Sequence, residues 1–453
     1  MGDNLTFFVE LGVVLACIVM GTRVGGAGVG LWGGVGVFIL VFVFGEAPGA
    51  PPASAVAIIL AVVTAAALMQ ASGGIDWMVK IAAGIIESQP TRITYVAPLT
   101  AFAFTIGAGT SNILYPLMPV IHDVSYRNGI RPSRPMSVSV VQSGVALAAS
   151  PVSAAMAAML TLTDVPPHDF GLPKILAITI PSCLIGIVVT AFFASRMGPE
   201  LEDDPEVQQK IREGKLPPIG GGDGPQESLA ASMTATKEGR NAAIAFLTGV
   251  VLIVLLGLFP ELRPTYTSGT EVVRLDMTSS IVIVMFLVGA IIAFVGKPTM
   301  KELPDQTVFK AGMVAAIALF GIAWMTATFI DANEALIVDT VGGWITAHPA
   351  VFFLAVFVVA ALTTSQSTAT RTMVPIGLAS GLAPGLLVGM WGGAVGSVYA
   401  LPTGGPQIAG ASFDLSGTTK LGTKLIDHSY FVPMLILTST TMLVGAFIGT
   451  VFF

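Results

Sequence analysis

Eight apolar runs of membrane-spanning length constrain this chain more than any other feature. A transmembrane helix needs roughly 20 mostly apolar residues, and runs of this kind recur from one end of the sequence to the other. Because lipid offers the backbone no hydrogen bonds, such runs are typical of helices. The sequence therefore predicts an all-α polytopic membrane protein. The runs are Leu5–Thr22, Ala27–Phe44, Ala53–Ala71, Lys174–Ser195, Ala242–Phe259, Thr278–Val295, Ala311–Ile330 and Val432–Phe453.

Composition agrees with this class and excludes others. Charged residues make up 11% of the chain and hydrophobic residues 54%, whereas soluble domains carry roughly 25% charge. The net charge of −6 offers no basic patch, so we expect no nucleic-acid partner. Cys17 and Cys183 lie inside apolar runs and indicate neither a disulfide nor a metal site. No cofactor is implied.

Two polar stretches interrupt otherwise apolar sequence, Gly107–Asn112 and Thr363–Thr370. Their flanks carry almost no charge, so we interpret each stretch as the tip of a helical hairpin that enters the membrane and returns. The predicted hairpins run from 91 to 123 and from 350 to 383. Non-helical backbone at membrane depth is tolerated only beside protein or a water-filled cavity. The two tips are therefore the first places to look for a solute site.

Each hairpin is followed by a span that is broken in the middle. The first, Met136–Thr163, is interrupted at Ser150-Pro151, and the second, Leu386–Phe413, is interrupted over Leu401–Pro406. Proline near a helix break is consistent with a new helix starting there. Each broken span is followed by one last unbroken span. The two halves of the chain therefore contain the same series of segments.

The halves align by more than their order. Placing Pro119 on Pro375 superimposes the two tips, and placing Pro151 on Pro402 at a similar offset superimposes the two breaks. An amphipathic stretch precedes each hairpin, at 75–88 and at 332–347. We therefore predict two inverted-topology repeats, 1–196 and 242–453. The polar segment 197–241 joins them as a cytoplasmic linker, with a short helix near Pro205–Glu213 and a flexible remainder.

Basic residues predict the orientation, because lysine and arginine collect in cytoplasmic loops. With both termini outside, most basic residues fall inside, only Lys174, Arg263 and Arg274 fall outside, and Arg371 alone lies within a membrane segment. In this arrangement hairpin one enters from the cytoplasm and hairpin two from the opposite face. The repeat and the charge pattern thus predict the same inverted topology.

The four interruptions predict helix N-termini near the middle of the membrane. Ser111 and Asn112 in hairpin one, and Ser150 before Pro151, are residues that cap helices well. The corresponding candidates in the second half are Ser367, Thr368, Thr370, Thr403 and Gly404. Each N-terminus carries unpaired N–H groups and about half a positive charge. The predicted ligand is therefore a small anion with two anionic ends.

Arg371 leaves two interpretations open. A buried arginine in a membrane needs a partner, and a substrate carboxylate is a suitable one. It can equally lie near the interface or bond a backbone carbonyl of the hairpin. Two other features receive structural interpretations. We interpret His122 and Asp123 beside Arg127 as a cytoplasmic cap, and the glycines of 21–36 as close helix contacts.

Several motifs, taken in order, resemble the anaerobic C4-dicarboxylate transporter (Dcu) family of bacterial inner membranes. They are Asn128–Pro135, Ala148–Ser153, Ser365-Gln366 ahead of Val374-Pro375, Leu401–Thr403, Phe413–Thr419 and His428, with Phe309–Gly312 and Gly321–Trp324 in support. The resemblance implies a homodimeric elevator-type carrier that exchanges fumarate, succinate, malate or aspartate. The predicted substrate-binding residues are Gly109, Thr110, Ser111, Asn112, Ser150, Pro151, Ser153, Ser365, Gln366, Ser367, Thr368, Thr370, Arg371, Pro402 and Thr403.

Other functions remain as alternatives. One is a proton- or cation-coupled symporter of another small organic anion such as citrate, and a second is a passive anion channel. An intramembrane enzyme is a distant alternative, since the sequence has no zinc-protease motif and no nucleophile motif with a partner histidine. A cytoplasmic or sensor partner that binds the linker could coexist with transport.

Overall fold

The computed structural model describes residues 2–24, 26–220, 233–268, 271–336, 347–402, 404–422 and 426–453. Within these ranges, 7 helices are long and apolar enough to cross a membrane. They are Ala53–Ala71, Ser133–Thr163, Leu172–Ala194, Lys237–Leu258, Met277–Val295, Thr307–Asn333 and Phe431–Val451. Shorter apolar helices cover Leu5–Gly21, Gly28–Val43 and Pro349–Thr363. The predicted class, an α-helical polytopic membrane protein, is confirmed.

Helices of the first half closely follow the predicted segments. The bounds are α1 Gly2–Val24, α2 Gly28–Phe38 with a π-helical turn Ile39–Val43, α3 Ala53–Ala71, α4 Gly74–Ser88, α5 Ile93–Ala108, α6 Met118–Arg127, α7 Ser133–Ala146, α8 Ala154–Thr163 and α9 Leu172–Ala194. A short helix, α10 Pro205–Arg212, begins in the linker where the sequence predicts one. Its N-terminus is capped by Asp204, whose carboxylate accepts hydrogen bonds from the backbone N–H groups of Glu206 and Val207.

Helices also make up most of the second half. Its helices are α11 Lys237–Leu258, α12 Met277–Val295, α13 Thr307–Leu336, α14 Pro349–Thr363, α15 Gln366–Ala379, α16 Pro384–Ala394, α17 Gly405–Phe413 and α18 Phe431–Val451. The amphipathic stretch predicted at 332–347 is instead the end of α13 as far as Leu336, and residues 337–346 lie outside the described ranges.

A small antiparallel pair of strands was not predicted. Strand β1 (Thr265–Ser268) pairs with β2 (Glu271–Arg274) between α11 and α12, with Tyr266 opposite Val273. Most of the strand residues are β-branched or aromatic, which favours strands. They lie in a short polar loop between α11 and α12, where no apolar run of spanning length exists, so the described residues are not entirely α-helical.

Glycines bring α2 and α13 into close contact. A Cβ atom added to Gly30 or Gly33 would collide with the backbone of Ile317 or Gly321, and one added to Gly321 would collide with Gly30. Small residues allow helices to approach closely in membranes. Close helix contact is therefore confirmed for Gly21, Gly30, Gly33 and Gly36 of the run at 21–36, whereas a Cβ atom on Gly34 would meet nothing within 4 Å. Together with α1, these helices enclose a separate apolar cluster that includes Phe7, Cys17, Leu40 and Met325.

The first part of the linker is packed against hairpin one rather than free. Leu201, Val207 and Leu216 are buried with Tyr126, whose hydroxyl donates a 2.7 Å hydrogen bond to the Pro217 carbonyl. Two ion pairs anchor the same segment, Arg131 with Asp204 at 2.6 Å and Arg134 with Glu200 at 2.8 Å. Leu216 and the Pro217 carbonyl thus contact hairpin one, whereas most side chains of residues 214–220 are exposed, and the flexibility of the linker after Glu213 stays a prediction. Residues 221–232 lie outside the described ranges.

Candidate functional site

Hairpin one turns at Gly109. Helix α5 ends at Ala108, Gly109 adopts a left-handed conformation with φ 67°, and a 3₁₀ segment (Ser111–Leu117) leads into α6. Thr110 is the first extended residue after the turn, and its hydroxyl accepts a 3.2 Å hydrogen bond from the Asn112 backbone N–H. The cap is therefore Thr110 and not the predicted Ser111 or Asn112, because the chain has already reversed direction when it reaches them.

Hairpin two makes the same reversal without glycine. Helix α14 ends at Thr363, Thr364 is left-handed with φ 49°, and Ser365 is extended. The Ser365 hydroxyl accepts a 3.2 Å hydrogen bond from the Thr368 backbone N–H and a 2.9 Å bond from the Thr368 hydroxyl. Ser365 is thus the cap of α15. The predicted caps Ser367, Thr368 and Thr370 lie inside that helix, where they cannot perform this role.

Both broken spans are interrupted where the sequence predicts, but the helix cap in the first one is shifted. Helix α8 is capped by Ser153, which accepts a 3.0 Å bond from the Met156 N–H, rather than by Ser150 with Pro151 at the first helical position. Ser150 instead donates a 2.7 Å bond to the Ile106 carbonyl of hairpin one. In the second broken span Gly404 precedes α17, as predicted. Thr403 lies outside the described residues.

Three of these four interruptions share one cavity of about 230 Å³. This tip cavity is bounded by hairpin one, hairpin two and the break of the second broken span. Its lining residues are Ser111, Tyr115, Thr364, Gln366, Val398, Tyr399, Gly404, Gly405 and Pro406. The volume lies slightly below the roughly 300 to 1,000 Å³ of drug-sized ligand sites. The cavity therefore suits a small solute.

Helix ends and uncharged polar groups supply the electrostatics of the tip cavity. None of the described residues that line it carries a formal charge. The first residues of the 3₁₀ segment, of α15 and of α17 all contribute to the lining, namely Ser111, Gln366 and Gly405. Helix N-termini attract anions through the macrodipole and unpaired N–H groups. The arrangement can hold a small anion without an ion pair.

Of the predicted binding residues that the structure describes, two line the tip cavity, Ser111 and Gln366. Gly109, Thr110, Asn112, Ser365, Ser367 and Thr368 build the two turns beside it, and Pro402 lies next to its second-half wall. Ser150, Pro151 and Ser153 are buried behind hairpin one. Thr370 accepts a 2.8 Å bond from the indole N–H of Trp391. Arg371 lines a different cavity.

Sequence reasoning missed the two tyrosines of the site. A Cβ atom added to Gly405 would lie 2.6 Å from the Tyr115 hydroxyl, so the glycine makes room for that group. The Tyr399 hydroxyl lies 2.8 Å from the Ser143 Oγ on α7, which connects the two broken spans. Thr364, at the turn of hairpin two, was missed as well. No spacing in the sequence separates these residues from ordinary packing residues.

A polar cluster joins hairpin one to the loop after α17. The His122 Nδ1 lies 3.2 Å from the Asp414 Oδ1, and the same carboxylate accepts bonds from Ser416, Thr418 and Thr419. Burial alone raises the pKa of Asp414, but the hydrogen bonds from His122 and the three hydroxyl residues outweigh it and lower the net pKa. Asp123 pairs with Arg127 at 2.7 Å. The role of His122 and Asp123 as a cytoplasmic cap stays a prediction.

These observations define a class: a polytopic membrane protein with a small-solute cavity between two helical hairpins. Comparison with known proteins then gives the family. The family model described as anaerobic C4-dicarboxylate membrane transporter matches residues 6–453. The chain belongs to this DcuA/DcuB family, which is a family of transporters and not of enzymes.

Individual relatives agree along almost the whole chain. The anaerobic C4-dicarboxylate transporter DcuB of Escherichia coli O6:H1 is 34% identical over 97% of this chain and 98% of its own. The C4-dicarboxylate transporter DcuA of Escherichia coli K12 is 32% identical over 94% and 95%. DcuA of Wolinella succinogenes is 30% identical over 98% and 99%.

A solved structure supports the fold. The YdaH transporter of Alcanivorax borkumensis matches with a TM-score of 0.54 and 16% sequence identity, covering 87% of this chain and 85% of that chain. The likeness concerns the fold alone.

Proposed function

We propose that this protein exchanges C4-dicarboxylates such as fumarate, succinate, malate and aspartate across a bacterial inner membrane. The observation that carries the proposal is the tip cavity, where three helix N-termini meet beside Ser111, Gln366 and two tyrosines. The curated relatives are named as C4-dicarboxylate transporters, which supports the substrate class.

The tip cavity offers separate environments for the two ends of a dicarboxylate. Ser111 and Tyr115 come from hairpin one, whereas Thr364 and Gln366 come from hairpin two. A carboxylate accepts hydrogen bonds well from hydroxyl, amide and helix N-terminal N–H groups. In the proposed complex, one carboxylate contacts each hairpin and the short carbon chain lies between Val398 and Tyr399. Ligands with a single carboxylate would lose half of these contacts.

Paired helix contacts support the proposed inverted repeat. Helix α2 packs on α13 as α12 packs on α3, and α1 packs on α2 as α11 packs on α12. If α1, α2 and α3 correspond to α11, α12 and α13, each of these contacts made by the first half has an equivalent contact made by the second. We propose that the halves are the repeats 1–196 and 242–453, that the termini lie outside, and that the hairpins enter from opposite faces. Alternating access by elevator-type motion then follows.

Transport into liposomes tests the proposal most directly. Purified protein in liposomes preloaded with succinate is expected to take up labelled fumarate and aspartate much faster than citrate, and empty liposomes are expected to show little uptake. Uptake that needs a proton or sodium gradient but no internal dicarboxylate would favour the symporter alternative. Flux that never saturates would favour a channel.

The tip cavity is tested by Ser111→Ala and Gln366→Ala. Each variant removes one hydrogen bond to a charged ligand, which is worth about 1.5 to 3 kcal/mol, or roughly tenfold in affinity and more. Ser412→Ala is the matched control, because the Ser412 hydroxyl bonds only within its own helix, to the Ile408 carbonyl. If both test variants bind substrate with wild-type affinity, neither Ser111 nor Gln366 belongs to the site.

Alternating access is tested with cysteines at Ser111 and Thr364, in a background that lacks Cys17 and Cys183. An impermeant thiol reagent applied inside is expected to reach position 111 in one state, and applied outside to reach position 364 in the other. Substrate is expected to change both rates, because it shifts the two states by its differential affinity and shields the cavity. Reaction of both thiols from one side only, at rates indifferent to substrate, would contradict the inverted hairpins.

A further inference from the structure

A second cavity, of about 370 Å³, lies apart from the tip cavity. It is enclosed by α13, the start of α3, α8 and α15, and none of the described residues lines both cavities. Most of its wall is apolar and includes Leu319, Ile330 and Pro375. Its volume falls within the roughly 300 to 1,000 Å³ typical of small-molecule sites.

Arg371 lines this second cavity and is only 2% exposed. Its Nη1 donates a 3.0 Å hydrogen bond to the Ala315 carbonyl of α13. Among the described residues, neither its Nε nor its Nη2 has a hydrogen-bond partner. A guanidinium has five N–H donors and stays charged in proteins. A buried cation with unused donors is stabilised by an anion that fills the space beside it.

The charged residue at the other end of the cavity does not provide that anion. Asp331 lines the same cavity, but it follows Ala315 on α13 by about 24 Å of helix at roughly 1.5 Å per residue. The ion pairs found within the described ranges do not include Arg371. The single cation at one end and the single carboxylate at the other also disfavour a ligand with two negative ends.

Helix α15 forms a wall of both cavities. Gln366 lines the tip cavity and Arg371 lines the second one, and five residues along a helix turn the side-chain direction by about 140°. Arg371 therefore points away from the tip cavity rather than into it. This placement separates its ligand from the proposed transport substrate.

We propose that the second cavity binds an aliphatic monocarboxylate, with the carboxylate on the Arg371 guanidinium and the carbon chain along the apolar face of α13. One cation matches one carboxylate, and the wall formed by Leu319, Ala323, Ala327 and Ile330 matches an aliphatic chain. The site does not depend on the proposed dicarboxylate exchange, since it uses a different cavity and a different class of ligand.

Calorimetric titration of the purified full-length protein with hexanoate tests the site. Hexanoate is expected to bind the wild type, Arg371→Gln to weaken binding at least tenfold, and Arg371→Lys to weaken it less. Hexanol has the same chain without the charge and is expected to bind far more weakly. Succinate binding, measured on the same samples, reports the tip cavity and is expected to be lost in Ser111→Ala with Gln366→Ala while hexanoate binding persists.

Three results would each overturn the monocarboxylate site: no hexanoate binding to the wild type at millimolar concentration, equal binding to Arg371→Gln, or equal binding of hexanol. Loss of hexanoate binding in the tip-cavity variant would place the ligand there instead. If Arg371→Gln does not fold, Ala323→Phe fills the second cavity from α13 and is expected to block hexanoate while leaving succinate binding unchanged.

Discussion

The two hairpins reverse direction by the same backbone path but with different residues. Gly109 makes the turn of hairpin one with φ 67°, and Thr364 makes that of hairpin two with φ 49°. Glycine adopts this conformation freely, whereas for a β-branched residue it is a rare and strained one. A Cβ atom on Gly109 would lie 2.8 Å from the Val152 carbonyl oxygen, while Thr364 is exposed and lines the tip cavity.

The difference separates a packing requirement from a functional one. At Gly109 there is no room for a side chain, because the first broken span presses against the turn. At Thr364 a glycine would relieve strain, yet the chain carries a side chain that borders the cavity. Strained residues tend to occur at functional sites, where the surrounding structure maintains them. The turn of hairpin one therefore has no space for a side chain, whereas Thr364 is a candidate ligand contact in the proposed site.

Gly109→Ala is expected to have the largest effect. It places a side chain in the left-handed region and against the Val152 carbonyl, so we expect a loss of several kcal/mol in stability and no measurable uptake. Thermal unfolding in detergent and liposome uptake measure these changes. Gly84→Ala is the control, because a Cβ there meets nothing within 4 Å. A stable, active Gly109→Ala variant would contradict the tight turn.

The base of hairpin one is tested through Asp414. Its pKa is lowered in the folded protein, so its contribution to stability is present above the unfolded pKa of about 3.9 and is lost as pH falls through the lower folded value. Asp414→Asn is expected to unfold at a lower temperature than wild type at pH 7, by the equivalent of about 2 kcal/mol. The difference in unfolding temperature between the variant and the wild type is expected to narrow below about pH 4. If this difference does not change with pH, the charge of Asp414 is not what stabilises the fold.

Thr364→Gly is expected to have the smallest effect on stability and a separate effect on transport. Removing the strained conformation is expected to stabilise the protein by about 1 kcal/mol, while loss of the side chain weakens apparent substrate affinity. Lys297→Gly is the matched control, since Lys297 has φ 47° and does not line the tip cavity. Lys297→Gly is expected to raise stability without changing substrate affinity. If Thr364→Gly leaves substrate affinity unchanged, the strained backbone of Thr364 has no role in the site.

Much of the architecture could be predicted from the order of apolar runs. Helix α3 has the predicted bounds, Ala53–Ala71, and both hairpins and both broken spans lie where the polar interruptions indicate. Local sequence rules suffice to place these segments, because the backbone in lipid must form its hydrogen bonds within each segment. The same rules placed the caps a few positions off. Which residue caps a helix depends on where the chain turns, and Gly109 and Thr364 turned it earlier than expected.

By itself the sequence determined that the chain crosses a membrane many times, that polar turns interrupt its hairpins, and that its motifs are those of C4-dicarboxylate carriers. Only the tertiary structure decided which side chains meet. It brought Tyr115, Thr364 and Tyr399 to Ser111 and Gln366, and it turned Arg371 toward a separate cavity. The physical reason is that a helix presents different residues to different neighbours, and the packing of distant helices, such as α13 against α15, fixes which face meets which cavity.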